Sequence, residues 1–429
     1  MENFPDTVQI GDVTKITDEF LDSLPKIDLV CFGSPCFVGD TLVLTRDGYK
    51  EIKDVKIGDY VLSHDNKYHK VIDSGCTGSK SISTIKVMGA ETIQTTSNHK
   101  FYVRKMERKY IKDKINYLKG TYRREFSEPS WKEIKELDKN YYVGYAINQN
   151  SIIPEWNGIE YYKHRTNPYI SKTLDMSDEN FWYIVGRYLG DGWLRKGRKG
   201  EHRNYYYGVI ICGGESKIQY LRERLGQSFN FVEIKERTVY KLQISHVELA
   251  NFLSQFGEGA GNKFLPGFIF DLPVNLLKSL LEGYFDSDGH KEYKNGKLYK
   301  MKVSSISRKL IYGIAQCVAK VYHRPYTLVK PVTNPKCCIE GRIVNQHERY
   351  NIEFKFDIKK QDKAFYEDGY LWCPITKVEN TDIIEDVYDL TVEESHSFLA
   401  NGVIVHNCRS LTKTTAGREK YNNGLKGTS

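Results

Sequence analysis

A chain of 429 residues, 40% hydrophobic and 28% charged, is too long for one compact core, so two or three domains are expected. No apolar run reaches the roughly 18 residues of a spanning helix and no basic-then-apolar leader opens the chain, which argues against a membrane or secreted protein and for a cytoplasmic one. The nine cysteines, scattered without C-x-x-C pairs, argue against a disulfide framework or a zinc site, and the net charge of +8 favours an anionic partner.

In chain order, residues 1–35 end at Pro35, and Cys36 follows with its thiol placed to attack the Pro35 carbonyl and convert an amide into a thioester. The Pro35 ring constrains that bond, so a slow first step is expected. From 36 to 150, short β-rich runs such as Thr41-Leu42-Val43-Leu44 and Tyr60-Val61-Leu62-Ser63 are separated by Asp47-Gly48 and Gly58-Asp59 turns. Within them Arg104, Lys105, Arg108, Lys109, Lys112 and Lys114 interleave with Tyr102 and Tyr110. Such a run neutralises phosphates, although taken alone it reads equally well as a solvated face.

From about 175 to 350 the pattern alternates helical and strand-like runs, an α/β texture set into a β one. It holds an internal repeat: Ile184-Val185-Gly186-Arg187-Tyr188-Leu189-Gly190-Asp191-Gly192 and Leu281-Glu282-Gly283-Tyr284-Phe285-Asp286-Ser287-Asp288-Gly289 each read as a helix ending at an acidic residue before Gly. Small residues four apart, Gly186 with Gly190 and Gly283 with Ser287, let two helix backbones approach closely and bring Asp191 beside Asp288. Two adjacent carboxylates repel unless they share divalent cations, and magnesium, a hard cation, is the expected partner. A second basic run, Arg195, Lys196, Arg198 and Lys199, lies beside Tyr205 to Tyr207. Residues 371–407 return to the β texture and end in His406-Asn407, before Cys408 and the last segment, 408–429. An Asn before a Cys cyclises its side-chain amide onto its own carbonyl and cuts the chain, with a preceding His supplying the proton. Two acyl-transfer centres in one chain point to splicing.

The segment 36–407 resembles an intein. Cys36-Phe37-Val38-Gly39-Asp40-Thr41 resembles the family's first block and Thr96-Ser97-Asn98-His99 its T-x-x-H block. Val387-Tyr388-Asp389-Leu390-Thr391-Val392 with His396, then Asn401 to Asn407, resemble the closing blocks. The resemblance implies an all-β horseshoe splicing domain of the Hint type, split into 36–150 and 371–407, with an α/β domain of two αββαββα-like repeats inserted between. It also implies roles. Thr96 and His99 polarise the Pro35–Cys36 amide, Asp389 helps deprotonate Cys408, which takes over the acyl chain, and His406 and His396 assist Asn407. No cofactor is implied for splicing.

The repeat resembles LAGLIDADG homing endonucleases, which implies a Mg2+-dependent cut in double-stranded DNA by a single chain, with Asp191 and Asp288 as metal-binding catalytic acids and Lys263 as an active-site lysine. The first motif departs at Leu189, where Asp is common, and the second lysine stays open between such residues as Lys302 and Gln243. A DNA-binding insert that does not cut is the alternative. Joined at Pro35 and Cys408, the flanks resemble the Pro-Cys loop of DNA cytosine-5 methyltransferases, with Arg409 in place of the usual Gln. That implies a host enzyme using S-adenosylmethionine at a site not in this chain, and a target in the methyltransferase allele that lacks the insert. Cys408 would serve as nucleophile twice.

Overall fold

The computed structural model describes residues 35–112, 120–164, 167–171, 174–196, 206–237, 239–331, 336–339, 342–345, 347–356 and 363–407. Cys408, Arg198, Lys199, Lys114 and the flanks 1–34 and 409–429 lie outside the described residues. All described residues fall in one compact unit, and none of their helices is long and apolar enough to cross a membrane.

The chain is mostly β. Strands from both ends of the described chain join one 14-stranded sheet system. Its spine is the antiparallel pair Tyr68–Val87 and Tyr370–Val392. These two strands, of 20 and 23 residues, are far longer than the short runs the sequence suggests. The reason is local: the exposed, polar stretch Cys76–Ser79 shows no hydrophobic alternation, and its strand conformation comes from the partner's hydrogen bonds rather than from propensity. At the first edge, Phe37 pairs with both Tyr388 and Thr95. Leu42 donates its N–H to Asn401 Oδ1 at 2.8 Å while Asn401 donates its own N–H to the Leu42 carbonyl at 2.7 Å. Asn401 holds a left-handed φ of 50°, a conformation its short polar side chain tolerates. Val405 then pairs with Phe101, and Phe37, Phe101, Phe398 and Val405 are fully buried together in the core.

Between the two β segments the described residues form five α-helices: α1 (Glu179–Asp191), α2 (Ile218–Gly226), α3 (Val247–Ser254), α4 (Val274–Asp288) and α5 (Arg308–Tyr322). α1 starts at Asp178, whose carboxylate accepts from Asn180 N–H at 2.8 Å, and ends before Gly192. α4 ends likewise at Asp288, before Gly289. Each of these two helices is followed by a four-stranded antiparallel sheet, built from Gly192–Lys196, Tyr206–Gly214, Val232–Glu236 and Val239–Ile244 in the first case and from Gly289–Lys294, Lys297–Ser305, Tyr326–Val329 and Tyr350–Lys355 in the second. The second half departs from the simple repeat by an added hairpin, Lys336–Ile339 with Arg342–Asn345.

α1 and α4 meet backbone to backbone. A Cβ on Gly186 would lie 2.0 Å from the Leu280 carbonyl oxygen, and one on Gly283 would lie 2.0 Å from that of Tyr183. Main-chain atoms cannot swing aside as a side chain does, so each glycine sets the helix separation. Gly283→Ala should therefore lower the stability of the inserted unit by about 3 kcal/mol in urea unfolding, and a loss too small to measure would mean the helices separate at little cost.

Candidate active sites

The peptide nitrogen and carbonyl of Cys36 are both held. Its N–H donates to Thr96 Oγ1 at 3.0 Å. Its carbonyl accepts from Thr95 Oγ1 at 2.7 Å and from Thr96 N–H at 3.0 Å, and the Thr96 hydroxyl in turn donates to Asn98 Oδ1 at 2.8 Å. Thr96 thus meets the nitrogen of the Pro35–Cys36 bond directly. Thr95 has no place in the sequence motif, and its role emerges only because Phe37 pairs with it. His99 is fully buried, 4.1 Å from the Phe37 ring centre. Burial pushes its imidazole down to about 3, so it is neutral at ordinary pH. Its Nδ1 faces the Lys100 carbonyl at 3.3 Å, and Nε2 is buried with no hydrogen-bond partner among the described residues. Nδ1 is therefore the protonated nitrogen and Nε2 a free acceptor. Asp389 follows Tyr388, the partner of Phe37, so one further step of that register sets its nearly buried carboxyl opposite Cys36.

At the other end, Asn407 is buried. With its amide turned to satisfy its neighbours, Nδ2 donates to the His396 carbonyl at 2.6 Å and Oδ1 accepts from Val392 N–H at 2.7 Å, while Asn407 N–H donates to the same His396 carbonyl at 2.9 Å. His406 Nδ1 lies 2.5 Å from the Asn407 carbonyl oxygen and its ring stands edge-on to Trp131. His396 takes a φ of 50°, which turns its carbonyl toward Asn407. The Phe101–Val405 pairing, carried two residues further, sets His99 opposite Asn407. One fold therefore brings Cys36, Thr96, His99, Asp389, His396, His406 and Asn407 into one neighbourhood.

A second site lies where α1 and α4 end. A Cβ on Gly190 would fall 2.2 Å from Ser287 Cβ and 3.2 Å from Asp288 Oδ2, so the helix termini carrying Asp191 and Asp288 touch. Desolvation first, then the charge of Asp191, pushes the Asp288 carboxyl up to about 6, and desolvation also raises Asp191. Lys263 is buried, and its ammonium donates to the Tyr188, Leu189 and Gly192 carbonyls at 2.6, 3.0 and 2.8 Å. It closes the C-terminus of α1, where the helix dipole favours a cation, and burial pushes it down to about 8. All three of its donors are thereby engaged. Sequence reasoning missed two further cations: Arg187, which reaches Asp191 Oδ2 at 3.4 Å, and Lys217, which donates to the Asp286 carbonyl at 2.7 Å and acts electrostatically on both carboxyls. Arg187 lies within the first motif at a position to which the motif assigns no role, and Lys217 falls outside both motifs. Lys302 pairs with Glu353 at 3.5 Å, and Gln243 sits on an inner strand between Ile210 and Val232.

The basic runs divide. Arg104 turns inward, donating to the Ser127 carbonyl at 2.7 Å, pairing with Glu367 and covering the Trp372 ring. Lys105, Arg108 and Lys109 lie on the strand Lys100–Lys112, whose hairpin partner Gly120–Phe126 sets Arg108 opposite Arg124 and Lys109 opposite Arg123. Like charges facing each other across a ladder oppose folding unless an anion joins them. Arg195 lies over the Tyr207 ring, and Lys196 pairs with Glu258 at 2.9 Å.

The raised Asp288 carboxyl has a definite sign. Because its folded-state value of about 6 exceeds the ordinary 3.8, the folded chain binds this proton more tightly than the unfolded one; the charged group opposes folding above about pH 6, and the opposition fades as pH falls toward 3.8. Asp191→Asn should lower the Asp288 midpoint in a carboxyl-carbon NMR titration, and an unmoved midpoint would mean the two carboxyls do not sense each other.

The chain is 28% identical over 268 residues to a DNA polymerase of Thermococcus litoralis, a match that covers 56% of this chain and 15% of the polymerase. It is similar to the homing endonuclease I-DmoI at 16% identity, covering 41% of this chain and 82% of that one with a TM-score of 0.29. It is similar to a DnaB intein from Synechocystis sp. PCC 6803 at 11% identity, covering 88% and 100% with a TM-score of 0.28. The model of the intein splicing domain matches residues 42–407, which takes in most of the chain with both clasped ends of the sheet, and the chain belongs to that family.

Proposed function

We propose that residues 36–407 excise themselves and join Pro35 to Cys408. The observation that carries this reading is the clasp on Asn407, whose side-chain amide is held by the His396 carbonyl and Val392 N–H while His406 Nδ1 meets its main-chain carbonyl oxygen. In the first step Cys36 Sγ bonds to the Pro35 carbonyl carbon as the C–N bond breaks, and Thr96 Oγ1 holds the departing nitrogen. Neutral His99 offers Nε2 as a proton acceptor. Cys408, aided by Asp389, then takes the acyl group. Asn407 Nδ2 attacks its own carbonyl carbon, polarised by His406 and assisted by His396, and the Asn407–Cys408 bond breaks. An S-to-N shift leaves an ordinary peptide.

For the inserted unit we propose site-specific cleavage of double-stranded DNA. Asp191 and Asp288, carried on helix ends that touch and both raised by desolvation, form a pair of hard oxygen donors that suits Mg2+; the ion would polarise a phosphate oxygen there. Asp191 and Asp288 would hold it. Lys105, Arg108, Lys109, Arg195 and Lys196, with Arg198 and Lys199 in sequence, would meet phosphates. The engagement of Lys263 by three carbonyls favours a second reading, in which the unit binds DNA without cutting it. The host at the Pro35–Cys408 junction would be a DNA cytosine-5 methyltransferase.

Asn407→Ala should abolish release of the C-terminal segment while thiol-induced cleavage before Cys36 persists, as intact mass would show. Asp191→Ala should abolish Mg2+-dependent cutting of target DNA and leave splicing yield unchanged. Cutting that survives this substitution would remove Asp191 from the reaction, and DNA retention without any cutting by the parent chain would establish the second reading.

A further inference from the structure

Cys36 is fully buried, and burial away from charge disfavours the thiolate that acyl transfer requires. Two side chains outside the family's motifs offset this. Thr77 Oγ1 lies 2.8 Å from Cys36 Sγ, and Lys80 Nζ donates to the same sulfur at 3.5 Å. Both come from the strand Tyr68–Val87. Residues three apart on a regular strand point to opposite faces, so something must turn them to one side.

The ladder to Tyr370–Val392 supplies it. Tyr388 pairs with Cys76 and Asp386 with Ser79. Two residues, Thr77 and Gly78, therefore oppose the single residue Val387. This is a β-bulge, and an extra residue reverses the facing of everything beyond it. Gly78 takes a φ of 93°, a left-handed value that suits glycine. Thr77 Oγ1 also donates to the Val387 carbonyl at 3.3 Å, so its one proton lies there while Cys36 is a thiol and turns to the sulfur at 2.8 Å once the thiol proton leaves. Cys36 precedes Phe37 and Val38, which pair with Tyr388 and Val387. The bulge thus sits where the sulfur does.

We propose that Lys80 and Thr77 are positioning residues that hold the Cys36 sulfur as a thiolate for the first acyl shift. This rests on the reading of Cys36 as the first nucleophile. The thiol proton leaves by way of the His99 Nε2 acceptor to solvent, a C–S bond forms to the Pro35 carbonyl carbon, the Pro35–Cys36 C–N bond breaks, and the freed Cys36 nitrogen takes a proton from water, so no net proton is gained or lost.

The test uses the full chain carrying Asn407→Ala and Cys408→Ala, with dithiothreitol-induced release of residues 1–35 followed against pH. Peptide-mapped iodoacetamide labelling of Cys36 is followed in parallel. Lys80→Met should slow release about tenfold at neutral pH, shift both profiles about one unit upward and converge with the parent at about pH 9 and above. Lys80→Arg should restore most of the rate, since it keeps the charge. Thr77→Val should act in the same direction with a smaller shift. A Lys80→Met profile lowered equally at every pH, or not lowered at all, overturns the proposal. Labelling reads the thiolate alone: a Lys80-dependent labelling profile in a chain that releases nothing supports the thiolate assignment and overturns the nucleophile reading instead.

Discussion

The structure depends on a reciprocal backbone clasp between residues 359 apart in the chain: Leu42 and Asn401 exchange hydrogen bonds through the Asn401 side chain and both main chains. Together with the pairing of Phe37 with Tyr388, it brings the two ends of the splicing unit to one edge. Without it the Cys36 and Asn407 centres would belong to separate pieces of chain. The same ladder system solves the problem of insertion. Ala146 and Tyr370 are register partners, and the strand Phe365–Glu367 pairs with the other side of the strand that Tyr370 begins, so the chain leaves the sheet and re-enters it two strands away, around the inserted unit. It is docked closely all the same, since a Cβ on Gly267 would overlap the Arg46 carbonyl and Arg308 reaches Glu91 and the Asp40 carbonyl.

Burial sets the chemistry at both sites, with opposite ends. In the splicing centre it keeps His99 neutral, so the imidazole enters the reaction with a lone pair and no charge to compensate in the core. At the helix ends it raises two carboxyls and lowers Lys263. A site that raises both its acids is suited to a partner that favours their charged forms. Cys36, buried as deeply as His99, meets a compensating cation in Lys80, as the two carboxyls meet Arg187 and Lys217.

Much of this was legible in the sequence, for identifiable reasons. Acyl transfer tolerates few residue types, so Cys36, Asn407 and their flanking motifs announce themselves. The helix ends at Asp191 and Asp288 follow from glycines at four-residue spacing, because only small residues allow the contact seen at Gly186 and Gly283. What was not legible lies in register and cross-chain capping. Thr77 and Lys80 reach Cys36 through a bulge that exists only when two distant strands pair. Lys263 reads as an active-site residue in its motif, yet the fold shows its ammonium closing α1. Arg104 belongs to a basic run by sequence and to an aromatic cluster in space.

One clasped edge brings Cys36 and Asn407, the two proposed acyl-transfer centres, together. Intact mass of the purified full chain tests it most directly. Splicing yields a free product of residues 36–407 together with residues 1–35 joined to 408–429. A chain that stays whole, and that releases nothing before Cys36 on addition of dithiothreitol, would contradict it.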